Sequence, residues 1–180
     1  SINLLQEQLN LADIIANPEA ITYGKRYRSQ IHGFLFKMVK LFEPRAAKRN
    51  IKIVLKGTTY AEVDAYNSFQ FVPLVLLDNA VKYSYANREI SVFLNEDRDN
   101  VTLTVRSLGK IVHPDYYLKI FDKYVRGPNA KKENPHGMGM GLYIARLIAE
   151  AHGHRIYYSC HHDQNGVGYN DFTVSIRRDF

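Results

Sequence analysis

The chain has one cysteine, Cys160, and no tryptophan. A lone thiol cannot close an internal disulfide, which suits a reducing compartment. Long apolar runs are missing too. The longest, Phe71 to Leu77, contains Pro73 and falls far short of the roughly 20 residues that span a bilayer. No basic-then-apolar order marks a signal peptide. The sequence opens on Ser1 rather than methionine, which predicts a piece cut from something longer. Acidic residues are in deficit: 18 Asp and Glu stand against 24 Lys and Arg, a formal net charge of +6. Such an excess favours an anionic partner, whether nucleic acid, membrane surface or nucleotide phosphate, but also fits a scattered, solvated basic surface. No basic run or basic/aromatic signature points to nucleic acid. Internal repeats and low-complexity segments are absent. What remains is an ordinary globular composition, 46% hydrophobic and 23% charged over 180 residues, enough for one domain and a short appendage.

Residues 1–16 carry a coiled-coil-like seam at Ile2, Leu5, Leu9 and Ala12, too short to be stable alone. Asn17 and Pro18 end it. A short strand is expected at 21–24, then a helix capped by Ser29 that runs to about Arg49 on Ile31, Phe34, Leu35, Met38, Val39 and Phe42. Ile51 to Leu55 reads as a strand that turns at Gly57 into a hairpin with Tyr60 to Val63. An apolar helix follows at 67–84, starting or kinking at Pro73. Strands are expected at 89–94 and 101–105, irregular chain at 107–139, and a helix from Met140 to the glycine cap Gly153. Two last strands, about 154–160 and 170–177, close the chain. The strands come mostly in hairpin pairs, which predicts an α+β fold with helices on one face of a mixed, largely antiparallel sheet.

Three stretches could carry chemistry. Asn79, Lys82 and Tyr83 stand at i, i+3 and i+4 and so share a helix face. An amide oxygen suits Mg²⁺, and a lysine one turn on suits phosphate; taken alone, the stretch reads first as a solvated polar face at the end of a core helix. Gly137-Met138-Gly139-Met140-Gly141-Leu142 leads into a helix whose free N–H groups favour anions; a plain flexible loop fits as well. Ile120 to Arg126 offers Phe121 and Tyr124 for a pocket edge and Arg126 for an anion, or is merely a short amphipathic connector. His161 and His162 beside Cys160 invite a metal reading, but adjacent strand residues point to opposite faces.

Taken in order, the three stretches resemble the histidine-kinase-like ATPase superfamily that includes gyrase, mismatch-repair and heat-shock chaperone ATPases. Sensor histidine kinases fit best within it. Asn79 to Tyr83 resembles their N box, Ile120 to Arg126 their F box, and Gly137 to Leu142 their second glycine box. The resemblance covers about residues 20–178. It implies a two-layer α/β sandwich binding ATP and Mg²⁺, with Asn79 as metal ligand and Lys82 and Tyr83 near the phosphates. Arg126 would lie in or near a mobile lid. Gly137, Gly139 and Gly141 would hinge it and cradle phosphate beside Leu142. Residues 1–18 would be the end of a dimerisation helix and 19–180 the catalytic domain. Further expectations are a cytoplasmic setting, alone or beneath a membrane anchor, a homodimeric parent protein, phosphoacceptor helices and a downstream response regulator.

The chain departs from the family at the base end. Ser107-Leu108-Gly109-Lys110-Ile111 stands where Asp-x-Gly-x-Gly is expected, so Ser107 replaces the aspartate that accepts from the adenine amino group. Losing a charged hydrogen bond costs about 1.5–3 kcal/mol, roughly ten- to hundredfold in affinity. Ile111 replaces the second glycine. Val75 stands where hydrolytic relatives place a glutamate base, which argues against a hydrolase. Asp78 is expected to point off the Asn79–Lys82 face. None of the seven histidines sits in a phosphoacceptor setting. Two readings follow: a kinase domain that transfers the γ-phosphoryl of ATP to a histidine outside this chain, or a degenerate pseudokinase module that acts through protein contacts.

Overall fold

A computed structural model describes residues 13–128, 130 and 138–177, without the side chains of 162–164. The seam at 1–12 and Gly137 lie outside the described residues.

Residues 13–16 are helical, and Ile14 is buried in the main core. Asn17 then caps a 3₁₀ turn at Pro18–Thr22, its side-chain oxygen accepting from the Glu19 N–H at 3.1 Å. This turn replaces the strand expected at 21–24. Strand β1 follows at Tyr27–Gln30 and helix α1 at Ile31–Ala47. Ser29 lies inside β1, and Gln30 takes the N-cap position without a side-chain bond.

Strand β2 is Lys52–Lys56 and β3 is Glu62–Ala65. They do not form the expected hairpin. β3 pairs antiparallel with β1, while β2 pairs parallel with β4, Glu89–Glu96. The link from β2 to β4 therefore carries α2, Phe71–Tyr83, as parallel strands require a crossover element. Pro73 falls in the first turn of α2, where its missing N–H breaks no bond. The preceding residues Asn67–Gln70 are a 3₁₀ turn.

Strand β5 spans Asn100–Lys110, β6 Arg155–Gln164 and β7 Val167–Arg177, with α3 at Gly141–Ala151 between β5 and β6. β5 is longer than expected: its alternating burial continues through Ser107 and Gly109. The sheet order is β2-β4-β5-β7-β6, antiparallel at every pair but the first. Val101, Leu103 and Val105 of β5, Ile90 and Val92 of β4, and Val174 and Ile176 of β7 face Leu35, Leu76, Val81 and Ile148 of the helices in one core. This is the anticipated α+β, two-layer sandwich. Among the described residues no helix is long and apolar enough to cross a membrane.

Candidate functional site

A cavity of about 660 Å³ opens where α2, the ends of β5 and β7, the start of α3 and residues 120–130 meet. That size suits a ligand of a few hundred daltons. α2 contributes Leu74, Val75, Asp78, Asn79, Lys82 and Tyr83, whose spacing is one helical stripe. The helix holds its position because its remaining surface is apolar: Val72, Leu76, Leu77 and Val81 are essentially inaccessible. Its last carbonyls, which helix geometry leaves without partners, are held by a residue the sequence did not single out. The Arg49 guanidinium donates to the carbonyls of Val81, Lys82 (2.9 Å) and Ser84 (2.8 Å).

Asn79, Lys82 and Tyr83 thus line the cavity together. Asp78 does so as well, contrary to expectation. It stands one turn before Lys82, so the two carry an i,i+4 ion pair, and its other oxygen accepts from Arg45 of α1. The Asn79 amide makes no hydrogen bond to any described residue and is free to act. Arg45 was missed because nothing local marks it: it reaches the site only through the packing of α1 on α2. Among the described lining residues, Arg45, Lys82, Lys110 and Arg126 set four cations against the single carboxylate of Asp78. An anion is the complementary ligand.

The opposite wall is made by the sheet. Ser107 and Asn170 are direct partners in the β5–β7 register and line the floor with Phe172, while Ile111, Val112 and Ile120 close the sides. Both polar residues are buried, at 4% and 7% exposure. Asn170 is held from behind. Its oxygen accepts from the Tyr158 hydroxyl at 2.7 Å, and its amide nitrogen donates to the Lys110 carbonyl at 3.3 Å. The Tyr158 hydroxyl in turn accepts from the Val112 N–H at 3.1 Å. Burial pushes Tyr158 well above the usual phenol range, so it stays a donor to Asn170. The Ser107 hydroxyl has no hydrogen-bond partner among the described residues.

Gly109 does not line the cavity. A Cβ there would lie 2.5 Å from the Tyr83 carbonyl oxygen, so glycine is needed for β5 to pass under the end of α2. Gly139 has φ +69°, and a Cβ would meet Val125 and Arg126 at 2.9 Å. Gly139 therefore docks the start of α3 against residues 124–126. Gly141 is the first residue of α3, and Met140 takes the N-cap position without a side-chain hydrogen bond; Gly139, Gly141 and Leu142 all line the cavity. A Cβ on Gly141 would touch Val75 at 3.4 Å.

Phe121 and Tyr124 do not edge the pocket as expected. Phe121 is buried in a second small core with Ile120 and Tyr158, its ring 6.4 Å from Phe172. Tyr124 points outward at 64% exposure with φ 64°, an uncommon backbone for an aromatic residue. Ile120 and Val125 line the cavity in their place. Arg126 lines it too, while donating to the Ala130 carbonyl. Asp122 is tied to α3 by Arg146 at 3.0 Å. Away from the cavity, Cys160 contacts the Tyr117 hydroxyl at 2.9 Å and His161 pairs with Asp171 at 3.2 Å. No group of three metal-ligating side chains occurs among the described residues.

Comparison with known proteins agrees with this architecture. The chain is 27% identical over 173 residues to the histidine protein kinase SaeS of Staphylococcus aureus, covering 88% of this chain and 48% of SaeS. It therefore spans about half the length of the curated relatives it matches. Among solved structures, the catalytic domain of histidine kinase ThkA superposes with a TM-score of 0.72 at 20% identity, over 86% of this chain and 98% of that one. The mycobacterial sensor histidine kinase MprB does so at 0.70 and 18%, over 86% and 99%. Full-length ShkA, recorded in complex with AMPPNP, matches at 0.74 and 20%, over 97% of this chain and 36% of ShkA. The profile of the family described as "Histidine kinase-, DNA gyrase B-, and HSP90-like ATPase" matches residues 67–179, and the chain belongs to that family.

Proposed function

We propose that this domain binds Mg·ATP and transfers the γ-phosphoryl group to a histidine outside residues 1–180, as the catalytic part of a two-component sensor kinase. The observation that carries the reading is the mixed lining of the cavity. Asn79, Lys82, Arg45 and the start of α3 share it with apolar side chains and with the neutral Ser107 and Asn170. A nucleoside triphosphate presents both kinds of surface, a charged tail and a flat heterocycle.

The residues present fit a magnesium ion: Asn79 offers an unengaged amide oxygen, and Mg²⁺ takes oxygen ligands while keeping several waters and phosphates. Asn79 would hold it, and the ion would supply charge neutralisation on the phosphates. Lys82 leaves Asp78 to bind phosphate, Tyr83 stands beside it, and Arg126 approaches from the lid side. Backbone N–H groups near Gly139, Gly141 and Leu142 receive phosphate oxygens, with Gly137 preceding them. Ser107 takes the base; Gly109 acts by shaping the approach of α2. The chemistry is positioning and charge stabilisation, as for phosphoryl transfer in general. Val75 offers no base at the position where hydrolytic relatives have one.

The relatives' printed names support the wider setting. Residues 1–18 are assigned to the end of a dimerisation helix, the parent protein to a homodimer, and the next acceptor to a response regulator. The need for ATP puts the domain in the cytoplasm, whether or not its parent is membrane-anchored. Calorimetry with ATP, with and without Mg²⁺, tests the core of the reading. Mg²⁺-dependent binding that Asn79→Ala abolishes, with phosphate transfer to the parent's own helical segment, is expected. A folded wild-type chain with no nucleotide heat in either condition refutes it.

A further inference from the structure

The base end holds an unusual combination. Ser107 is 4% exposed, faces a cavity and has no hydrogen-bond partner among the described residues. Its hydroxyl opens on the cavity, so a ligand group placed there can complete its hydrogen bonding. Its flanks are apolar: Ile111, Val112, Ile120 and Phe172, surfaces that suit the faces of a flat heterocycle. Among the described residues, the one acidic side chain lining the cavity is Asp78 on α2, already engaged by Arg45 and Lys82. The cross-strand partner of Ser107, Asn170, is also neutral, and the Tyr158 hydroxyl and the Lys110 carbonyl hold its amide in one orientation.

These facts bear on which base is taken. A carboxylate only accepts hydrogen bonds. It welcomes the amino group at position 6 of adenine and repels the carbonyl oxygen that guanine and hypoxanthine carry there. A hydroxyl accepts or donates by rotating about its C–O bond. We propose that Ser107 makes this site a general purine pocket, one that takes 6-oxo purine nucleotides as readily as ATP. The proposal rests on the nucleotide reading above and adds the substrate class. Ser107 accepts from the 6-amino group of adenine, or donates to the 6-oxo group of hypoxanthine or guanine, from the same position. Each purine then gains one neutral hydrogen bond, so neither is preferred on that account.

The test is isothermal titration of the 180-residue chain with Mg·ATP, Mg·ITP and Mg·GTP. ITP is the sharpest probe, because it changes the ring edge at position 6 without adding a 2-amino group. Affinities for ATP and ITP within about threefold of each other are expected, since one neutral hydrogen bond replaces another. Ser107→Asp should then separate them by about tenfold or more in favour of ATP, the size of a charged hydrogen bond gained or opposed. Ser107→Ala, the gentler change, should weaken both alike. Wild-type ATP binding about tenfold or more tighter than ITP, the worth of roughly one hydrogen bond, overturns the proposal and leaves the nucleotide reading standing. So does an ATP-to-ITP ratio that folded Ser107→Asp leaves unchanged. If no purine triphosphate binds the wild-type chain, the nucleotide reading falls and this one with it. The wild-type ratio needs no variant, so a misfolded mutant does not blunt the test.

Discussion

Replacing Gly109 with alanine isolates a steric requirement that has nothing to do with ligand contact. The new Cβ would stand 2.5 Å from the Tyr83 carbonyl oxygen and 3.5 Å from its carbon. Neither side yields easily. The Tyr85 N–H donates to the Leu108 carbonyl at 2.8 Å, and the Ser84 hydroxyl reaches the same oxygen at 3.3 Å, stitching the end of α2 to β5 beside the clash. Arg49 grips the same turn from the other side. Relief therefore requires β5 and α2 to separate by most of an ångström. Overpacking of this kind costs about 3 kcal/mol, the upper part of its usual range. Alanine recovers about 0.7 kcal/mol by restricting the unfolded chain. The net loss is about 2 kcal/mol, which lowers the midpoint of a chain this long by roughly 4–8 °C. Urea unfolding followed by far-ultraviolet circular dichroism measures it; with no tryptophan and 13 tyrosines, tyrosine emission is the second probe. The same substitution at Gly33, inside α1, meets nothing within 4 Å and should stabilise by up to about 1 kcal/mol on helix propensity. A Gly109→Ala protein within about 0.5 kcal/mol of wild type, the scatter of neutral surface changes, would show that the α2–β5 approach is not tight and refute the argument.

Arg49→Met should destabilise by about 1.5–3 kcal/mol in the same unfolding assay, because the last α2 carbonyls lose a charged donor, and it should weaken Mg·ATP binding by loosening Lys82 and Tyr83. His152 should make stability pH-dependent. Its ring is buried, its Nδ1 lies 2.7 Å from the Ile148 carbonyl, and its Nε2 accepts from the Tyr66 N–H at 3.0 Å. Burial, chiefly, holds its pKa below the usual value, opposed by the Ile148 carbonyl and reinforced by Arg26. The unfolded state then binds a proton more readily, so this stability is whole above about pH 6.5 and is lost as the pH falls through the lower folded-state value. Stability measured from pH 8 to 5 should decline more steeply in wild type than in His152→Gln.

A pattern that repeats within one element is legible in this sequence, whereas a pairing that joins distant elements is not. The α2 stripe was visible because Asn79, Lys82 and Tyr83 lie within two turns, and the core residues Leu76, Leu77 and Val81 fix which side faces in. The β2–β3 hairpin was wrong because Gly57 is a plausible turn locally, yet the register that buries Ile53 beside Ile90 lies across the α2 crossover. β5 was cut short because serine and glycine look like loop residues. The signal against that was present: Val101, Leu103, Val105, Ser107 and Gly109 keep one alternation phase without a break. Asp78 was misplaced by treating the useful face as a single column, whereas the cavity takes two adjacent columns of the helix. Arg45 and Asn170 had no local signal, since each enters the site only through tertiary contact.

The arrangement of charge explains how the cationic side chains of the cavity sit beside one another. Arg45 and Lys82 approach each other on neighbouring helices and would repel. Asp78 lies between them and bridges both. The side chains of Asp78, Lys82 and Arg45 are 22%, 36% and 48% exposed, so each ion pair is screened and worth less than about 1 kcal/mol. That weakness is useful. On the nucleotide reading proposed above, phosphate oxygens would offer Lys82 charge-assisted hydrogen bonds of at least comparable strength, so the lysine would transfer from carboxylate to ligand at little cost. A buried, unscreened pair in the same place would have resisted the exchange by several kcal/mol. Placing the bridging carboxylate at the rim of the cavity rather than its floor keeps the lysine oriented and still available, whereas the floor, where a charge would be locked in, carries only the neutral Ser107 and Asn170.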